Sequence, residues 1–247
     1  MSLYLAGFLA TVFFSTLFAT GGMGSSIVLI PILTFLGVDF NLAKAAGLFV
    51  NTVTTSTASF MNWRRQKPDL RLLVPFVLCS VLSAPAGAYC AQIWDVDRIK
   101  LAFAAFLLLV AAMMFARTDR HAAKIQCGRL CLIPLGLCVG FLAGLLGIGG
   151  GALIVPALFA MRFPSREIAV NLSFMIPFST FTAFLSYAGF IAIDWTLIAV
   201  TTTGALIGGI AGNRIMHGRL GDRQIKMVLA LALCLVALKL LSDLMAA

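Results

Sequence analysis

Long apolar runs alternate with short polar or glycine-rich joints along the whole chain. The runs lie near residues 3–20, 25–37, 43–62, 72–93 and 101–116, then near 129–146, 151–162, 167–189, 195–213 and 226–244. Several approach the roughly 20 residues that an α-helix needs to cross a bilayer. The piece after each glycine cluster is only about a dozen residues, roughly 20 Å of helix at 1.5 Å per residue, too short to cross alone. The pattern predicts helical spans interrupted in two places by a half-helix or one arm of a hairpin.

The two sets of five runs are copies. Sliding the sequence against itself by 125 residues lays GMGSSIVLIPIL (Gly22–Leu33) on GIGGGALIVPAL (Gly147–Leu158), Pro31 on Pro156 included. The same offset matches Thr55, Thr57 and Ala58 with Thr180, Thr182 and Ala183, and Asp69 with Asp194. Gly87 meets Gly212, and the pair Asp97-Arg98 meets Asp222-Arg223. Leucines align with leucines easily, but prolines and charged pairs at one ungapped offset mark an internal duplication. Residues 1–122 form the first transmembrane repeat and residues 123–247 the second.

Composition strengthens this picture. Hydrophobic residues make up 61% of the 247 and charged residues 11%, against about a quarter charged in a soluble domain. The net charge of +9 lies in the loops between apolar runs, where it sets orientation and meets anionic headgroups. No aromatic-basic surface suits nucleic acid. Under an inverted arrangement of the halves, 14 Lys and Arg fall on one side and 4 (Lys44, Arg98, Lys100 and Lys239) on the other. A parallel arrangement divides them almost evenly. The positive-inside rule therefore selects inversion, with both termini outside the cytoplasm. The expected fold is an all-α polytopic membrane protein of two inverted repeats, each of about five helical elements, broken at the glycine motifs. The stretch Met1–Thr20 has no basic n-region and reads as a retained first span rather than a signal peptide. The six cysteines read as small apolar packing residues.

Inverted repeats with interrupted helices bind substrate near the membrane midplane, where the broken elements meet. The first amides of a helix lack intrahelical acceptors and carry partial positive charge, which suits an anion. The candidate ligands are therefore Gly24, Ser25 and Ser26 in the first motif and Gly149, Gly150 and Gly151 in the second. Asn51, Thr54 and Thr55 in the third run of the first half, with Asn171 and Ser173 in the second, add polar side chains on inward faces. Gly204, Gly208 and Gly212 share one helical face and read as a close-packing surface. Lys44 and Arg166 near the starts of the third runs are placed to attract an anion into the mouth, but snorkelling to headgroups is the favoured account of both. Asp69, Asp97, Asp194 and Asp222 read as interfacial residues that cap helices or pair with nearby Arg. With no carboxylate in the middle of a span, a proton relay or a carboxylate cation site is disfavoured.

The two motifs and their sequels resemble the TauE/SafE family of sulfite exporters. The carrying residues are Gly22-Met23-Gly24 with Pro31 and Ala45-Ala46-Gly47, and Gly147-Ile148-Gly149-Gly150-Gly151 with Pro156 and Ala169-Val170-Asn171. Ser25-Ser26 departs from the glycine-rich form of the second motif. The resemblance implies a multi-pass protein of the bacterial inner (cytoplasmic) membrane that passes sulfite or an organosulfonate, with no cofactor or metal. Its partners would be that small sulfur-containing anion and the lipid bilayer, and a homo-oligomer is compatible with the sequence. The reading is a secondary transporter working by alternating access, and a passive anion channel is the alternative. An enzyme is disfavoured: there is no HExxH and no intramembrane aspartyl pair, and His121 and His217 lie in basic loops.

Overall fold

The computed structural model describes residues 2–19, 26–63, 70–115, 132–151, 165–216, 231 and 234–242. Its first five helices are α1 (Ser2–Ala19), α2 (Ser26–Phe35), α3 (Phe40–Trp63), α4 (Leu70–Ile93) and α5 (Val96–Phe115). They are followed by α6 (Leu132–Leu146), α7 (Ser165–Phe190), α8 (Trp195–Met216) and α9 (234–242). No strand occurs among the described residues, so the all-α expectation holds. The short piece expected at 151–162 lies outside them except for Gly151.

Local chemistry sets the helix starts. Gly37, with a φ of 89°, lets the chain turn out of α2. Asp39 then accepts the backbone N–H groups of Asn41 and Leu42 at 2.9 and 3.1 Å to cap α3. Asp194 caps α8 in the same way through Thr196 and Leu197, and its other oxygen accepts the Tyr4 hydroxyl at 3.0 Å. Asp97 pairs with Lys100 at 3.3 Å. The capping expectation is thus met at Asp194, whereas Asp97 pairs with a lysine and the neighbouring Arg98 pairs with Asp95; Asp69 and Asp222 lie outside the described residues.

Much of the described surface is apolar. Leu5, Leu9 and Phe13 line the outer stripe of α1, Leu78 and Leu82 that of α4, and Leu235 and Leu238 that of α9. An exterior of leucine and phenylalanine suits lipid rather than water. Trp63, Trp94 and Trp195 are all exposed at helix ends, where indoles settle at a bilayer interface. Among the described residues, Leu73–Ile93 is the one stretch both long and apolar enough to cross a membrane. Tyr4–Thr16, Ser26–Phe35, Leu132–Leu146 and Trp195–Ala211 form shorter apolar helices.

The most extensive helix pairings are α4 with α6, α1 with α8 and α3 with α7. At the 125-residue offset, α6 overlays α1, α7 overlays α3 and α8 overlays α4. The α4–α6 and α1–α8 seams are therefore images of one another. Both are made by residues without bulk. A Cβ added at Gly136 would lie 2.8 Å from the Phe76 carbonyl oxygen, and one at Gly140 or Gly144 would overlap the carbonyl of Ser80 or Ala84. On the other seam Gly204 and Gly208 face Phe8, Thr11, Val12 and Ser15, as their spacing predicts. Contacts rise together in number along both seams, so each pair runs parallel. In contrast α3 and α7 cross antiparallel, with Phe49 on Phe184, Thr52 bonded to Thr180 at 2.8 Å and Ser59 on the Ser173 carbonyl.

Candidate anion-binding site

One face of α3 organises the site. Lys44, Gly47 and Asn51 stand at i, i+3 and i+7, so they share that face. Ser26, the first residue of α2, packs on Gly47, where an added Cβ would stand 3.4 Å from the Ser26 Cβ. The loop leaving α6 closes over the same face. Gly147 takes a φ of 73° and lies so near the Lys44 stem that a Cβ there would be 2.6 Å from Lys44 Cβ and Cγ. Two residues on, a Cβ at Gly149 would overlap Asn51 Nδ2. The Gly149 N–H donates to Ser26 Oγ at 3.3 Å. Parts of both glycine motifs thus meet beside Asn51.

Two polar side chains here are fully buried with no hydrogen-bond partner among the described residues. Asn51 and Lys44 are each 0% exposed, and Asn51 Nδ2, Asn51 Oδ1 and Lys44 Nζ are all unpaired. An unpaired buried amide costs about 1–3 kcal/mol and a charge more. The snorkelling expectation for Lys44 is therefore corrected. Helical side chains lean toward the N-terminus, and Lys44 reaches back one turn to place Nζ 4.9 Å from the Phe40 ring centroid and 5.0 Å from that of Tyr187. Asp39, the nearest acid in sequence, is exposed and occupied in capping α3.

Tyr187 does more than cover the lysine. Its hydroxyl donates to the Gly144 carbonyl at 2.9 Å, tying α7 to the last turn of α6 just before the glycine loop. Tyr187→Phe is expected to lower stability by about 1 kcal/mol, the usual worth of such a bond, seen as a modest fall in the thermal midpoint in detergent.

The other nominated residues divide. Thr54 and Thr55 donate to the carbonyls of Val50 and Asn51 in their own helix, so their hydroxyls are engaged locally. Ser173 is brought to α3, but through its carbonyl, which accepts Ser59 Oγ. Gly150 borders an apolar crevice too narrow to hold a water, lined also by Phe106, Leu142, Ala143, Leu146 and Gly149. Gly151 re-enters helix with Ile176 3.0 Å from where its Cβ would be. Gly24 and Ser25 lie outside the described residues. The side chain of Asn171, within α7, is likewise not described, nor is that of Arg166.

Sequence reasoning did not single out Phe40 or Tyr187, and it gave Gly147 only as the first glycine of its motif. The Phe40–Lys44 spacing of four residues, a cation one turn from an aromatic, was the available signal. Chemically the arrangement offers buried donors and one cation. Among the described residues no three His, Cys, Asp or Glu side chains gather as a metal site would require.

Comparison with known proteins agrees with a transport role. The Sulfite exporter TauE/SafE family matches residues 4–240. The probable membrane transporter protein YunE of Bacillus subtilis is 25% identical over 250 residues, covering 90% of this chain and 91% of that protein. A probable membrane transporter protein of Xylella fastidiosa (strain 9a5c) is 30% identical over 214 residues, 79% of each. YjnA of Bacillus subtilis, also named a probable membrane transporter protein, is 26% identical over 250 residues, 93% of this chain and 96% of that one. No solved structure matches the chain. The lipid-suited exterior, the buried donors and these relatives lead to one conclusion: the chain belongs to the sulfite exporter TauE/SafE family and is a membrane transporter.

Proposed function

We propose that the protein is a secondary carrier of a small sulfur oxyanion, sulfite or an organosulfonate. It would bind the anion between Ser26, Asn51 and the Gly149–Gly151 segment and work by alternating access. The observation that carries the reading is Asn51, whose two amide atoms are buried against the Gly149 backbone with no hydrogen-bond partner among the described residues. A polar group kept dry without a partner is one that a substrate can satisfy. The sulfur chemistry comes from the family name. The halves 1–122 and 123–247 act in this reading as inverted repeats in a multi-pass inner-membrane protein. The antiparallel crossing of α3 on its copy α7, and the matching α4–α6 and α1–α8 seams, support that relation. Burial of Lys44 also removes one cation from the sparsely charged side, sharpening the charge asymmetry that orients the chain.

The test is uptake of radiolabelled sulfite into proteoliposomes. Saturable uptake, accelerated by unlabelled anion on the far side, is the expected result. Flux that never saturates would make the protein a channel, and absence of any sulfur-anion flux through folded protein would remove the substrate assignment. Asn51→Leu, similar in volume but without hydrogen-bonding atoms, is expected to weaken half-saturation by about tenfold or more, since hydrogen bonds to charged groups are worth about 1.5–3 kcal/mol.

A further inference from the structure

We propose that Lys44 is the charge-selecting residue of this transporter and restricts it to singly charged anions. The inference rests on the carrier reading above and deepens it by naming the charge class of the substrate. Among the described side chains Lys44 is the one charged group that is fully buried. Its ammonium lies between two aromatic rings with no hydrogen-bond partner among the described residues, and the exposed Asp39 acts on it only through space. Such ring faces return about 2 kcal/mol to a desolvated cation, while the penalty for burying an unpaired ion is several kcal/mol. The shortfall is what an arriving anion supplies.

Position agrees with that role. Lys44 stands two helical turns before Asn51 on the same face of α3, about 10 Å along the axis at 1.5 Å per residue. The Gly147–Gly149 loop touches both, Gly147 on the lysine stem and Gly149 on the asparagine. The ammonium, turned back toward Phe40, lies farther from Asn51 than that axial spacing, so an anion beside Asn51 feels Lys44 through its field rather than by contact, and the weakly screening interior carries that field.

Charge arithmetic then discriminates. One ammonium cancels one negative charge, so a bound monoanion leaves this buried pocket neutral and a dianion leaves it at −1. Born desolvation grows with the square of the charge, so a dianion also pays about four times as much to leave water. Asn51 fits the same class: Nδ2 can donate to an anionic oxygen while Oδ1 can accept from a protonated oxygen on the substrate.

The experiment uses anions of fixed charge. Methanesulfonate, a monoanion, and sulfate and thiosulfate, both dianions, compete with labelled sulfite for uptake by the full chain. Their stabilisation of detergent-solubilised protein against heat is measured in parallel. Methanesulfonate is expected to compete at a concentration at least tenfold below either dianion. Lys44→Gln should lose both its competition and its thermal shift by tenfold or more, and Lys44→Arg should keep them. Dianions competing as well as methanesulfonate, or a Lys44→Gln protein with unchanged anion affinities, would overturn the assignment. If Lys44→Gln does not fold, the wild-type ranking decides. If no sulfur anion is taken up at all, the carrier reading fails separately, and the thermal-shift ranking still decides the role of Lys44.

Discussion

Replacing Gly149 by valine is expected to abolish anion uptake while the protein remains inserted and monodisperse in detergent. The atom in the way of a new Cβ is Asn51 Nδ2, the tip of a side chain that can rotate aside. Relief of the overlap is therefore cheap for the fold and costly for the site. It swings the unpaired amide off the loop and crowds the backbone donor that faces Ser26. Initial uptake rates and detergent size-exclusion profiles, taken on the same preparation, separate the two effects. Normal uptake by the valine variant would move the site away from this loop. A broadened, aggregated profile would mean instead that the loop is needed for folding.

Gly144→Leu should do the opposite and destroy the protein rather than its activity. Here a Cβ would overlap the Ala84 carbonyl oxygen and lie 2.8 Å from the Ala88 nitrogen. Both are main-chain atoms of α4, so nothing can rotate away and the two helices must separate. Overpacking a well-packed interior costs about 1–3 kcal/mol, occasionally more, and a clash between backbones belongs at the upper end. The same helix turn also presents the carbonyl that accepts Tyr187. We expect loss of the monodisperse peak, or a thermal midpoint lowered by about 2–4 °C for each kcal/mol. Gly208→Leu, against the Val12 carbonyl on the companion seam, should behave alike. Gly209→Leu is the control, since nothing stands within 4 Å of its Cβ position. A Gly144→Leu protein as stable as Gly209→Leu would contradict the close-seam account.

The helices were legible because lipid imposes long apolar runs and each joint is marked by charge, glycine or aspartate. Runs read at 72–93, 167–189 and 195–213 correspond to α4, α7 and α8 within a few residues. The packing role of Gly204 and Gly208 was legible from spacing alone. The equally spaced Gly136, Gly140 and Gly144 carry the same signal, yet nothing in the sequence names α4 as the partner that requires them. The site was legible in its glycines and in Asn51 and Ser26, which the duplication and the membrane argument single out. Snorkelling was favoured for Lys44 because a lysine at the start of an apolar run can point outward or inward, and only the position of Tyr187 on another helix decides. Thr54 and Thr55 share a polar stripe with Asn51, but a threonine hydroxyl can satisfy itself on its own helix and an asparagine amide cannot so readily.

The two large seams join parts of the chain made at very different times. Phe8 meets Gly204, so at 5–20 residues per second the ribosome delivers α8 roughly 10–40 s after α1. During that interval the inner face of α1 has lipid for a neighbour. Thr11 is ready for the wait, because its hydroxyl already donates to the Gly7 carbonyl one turn back and exposes no unmet donor. A synthesis halted after the first half would leave α1 and α4 each with a narrow, small-residue groove and no occupant, a species suited to pairing with another copy of itself or to capture by quality control.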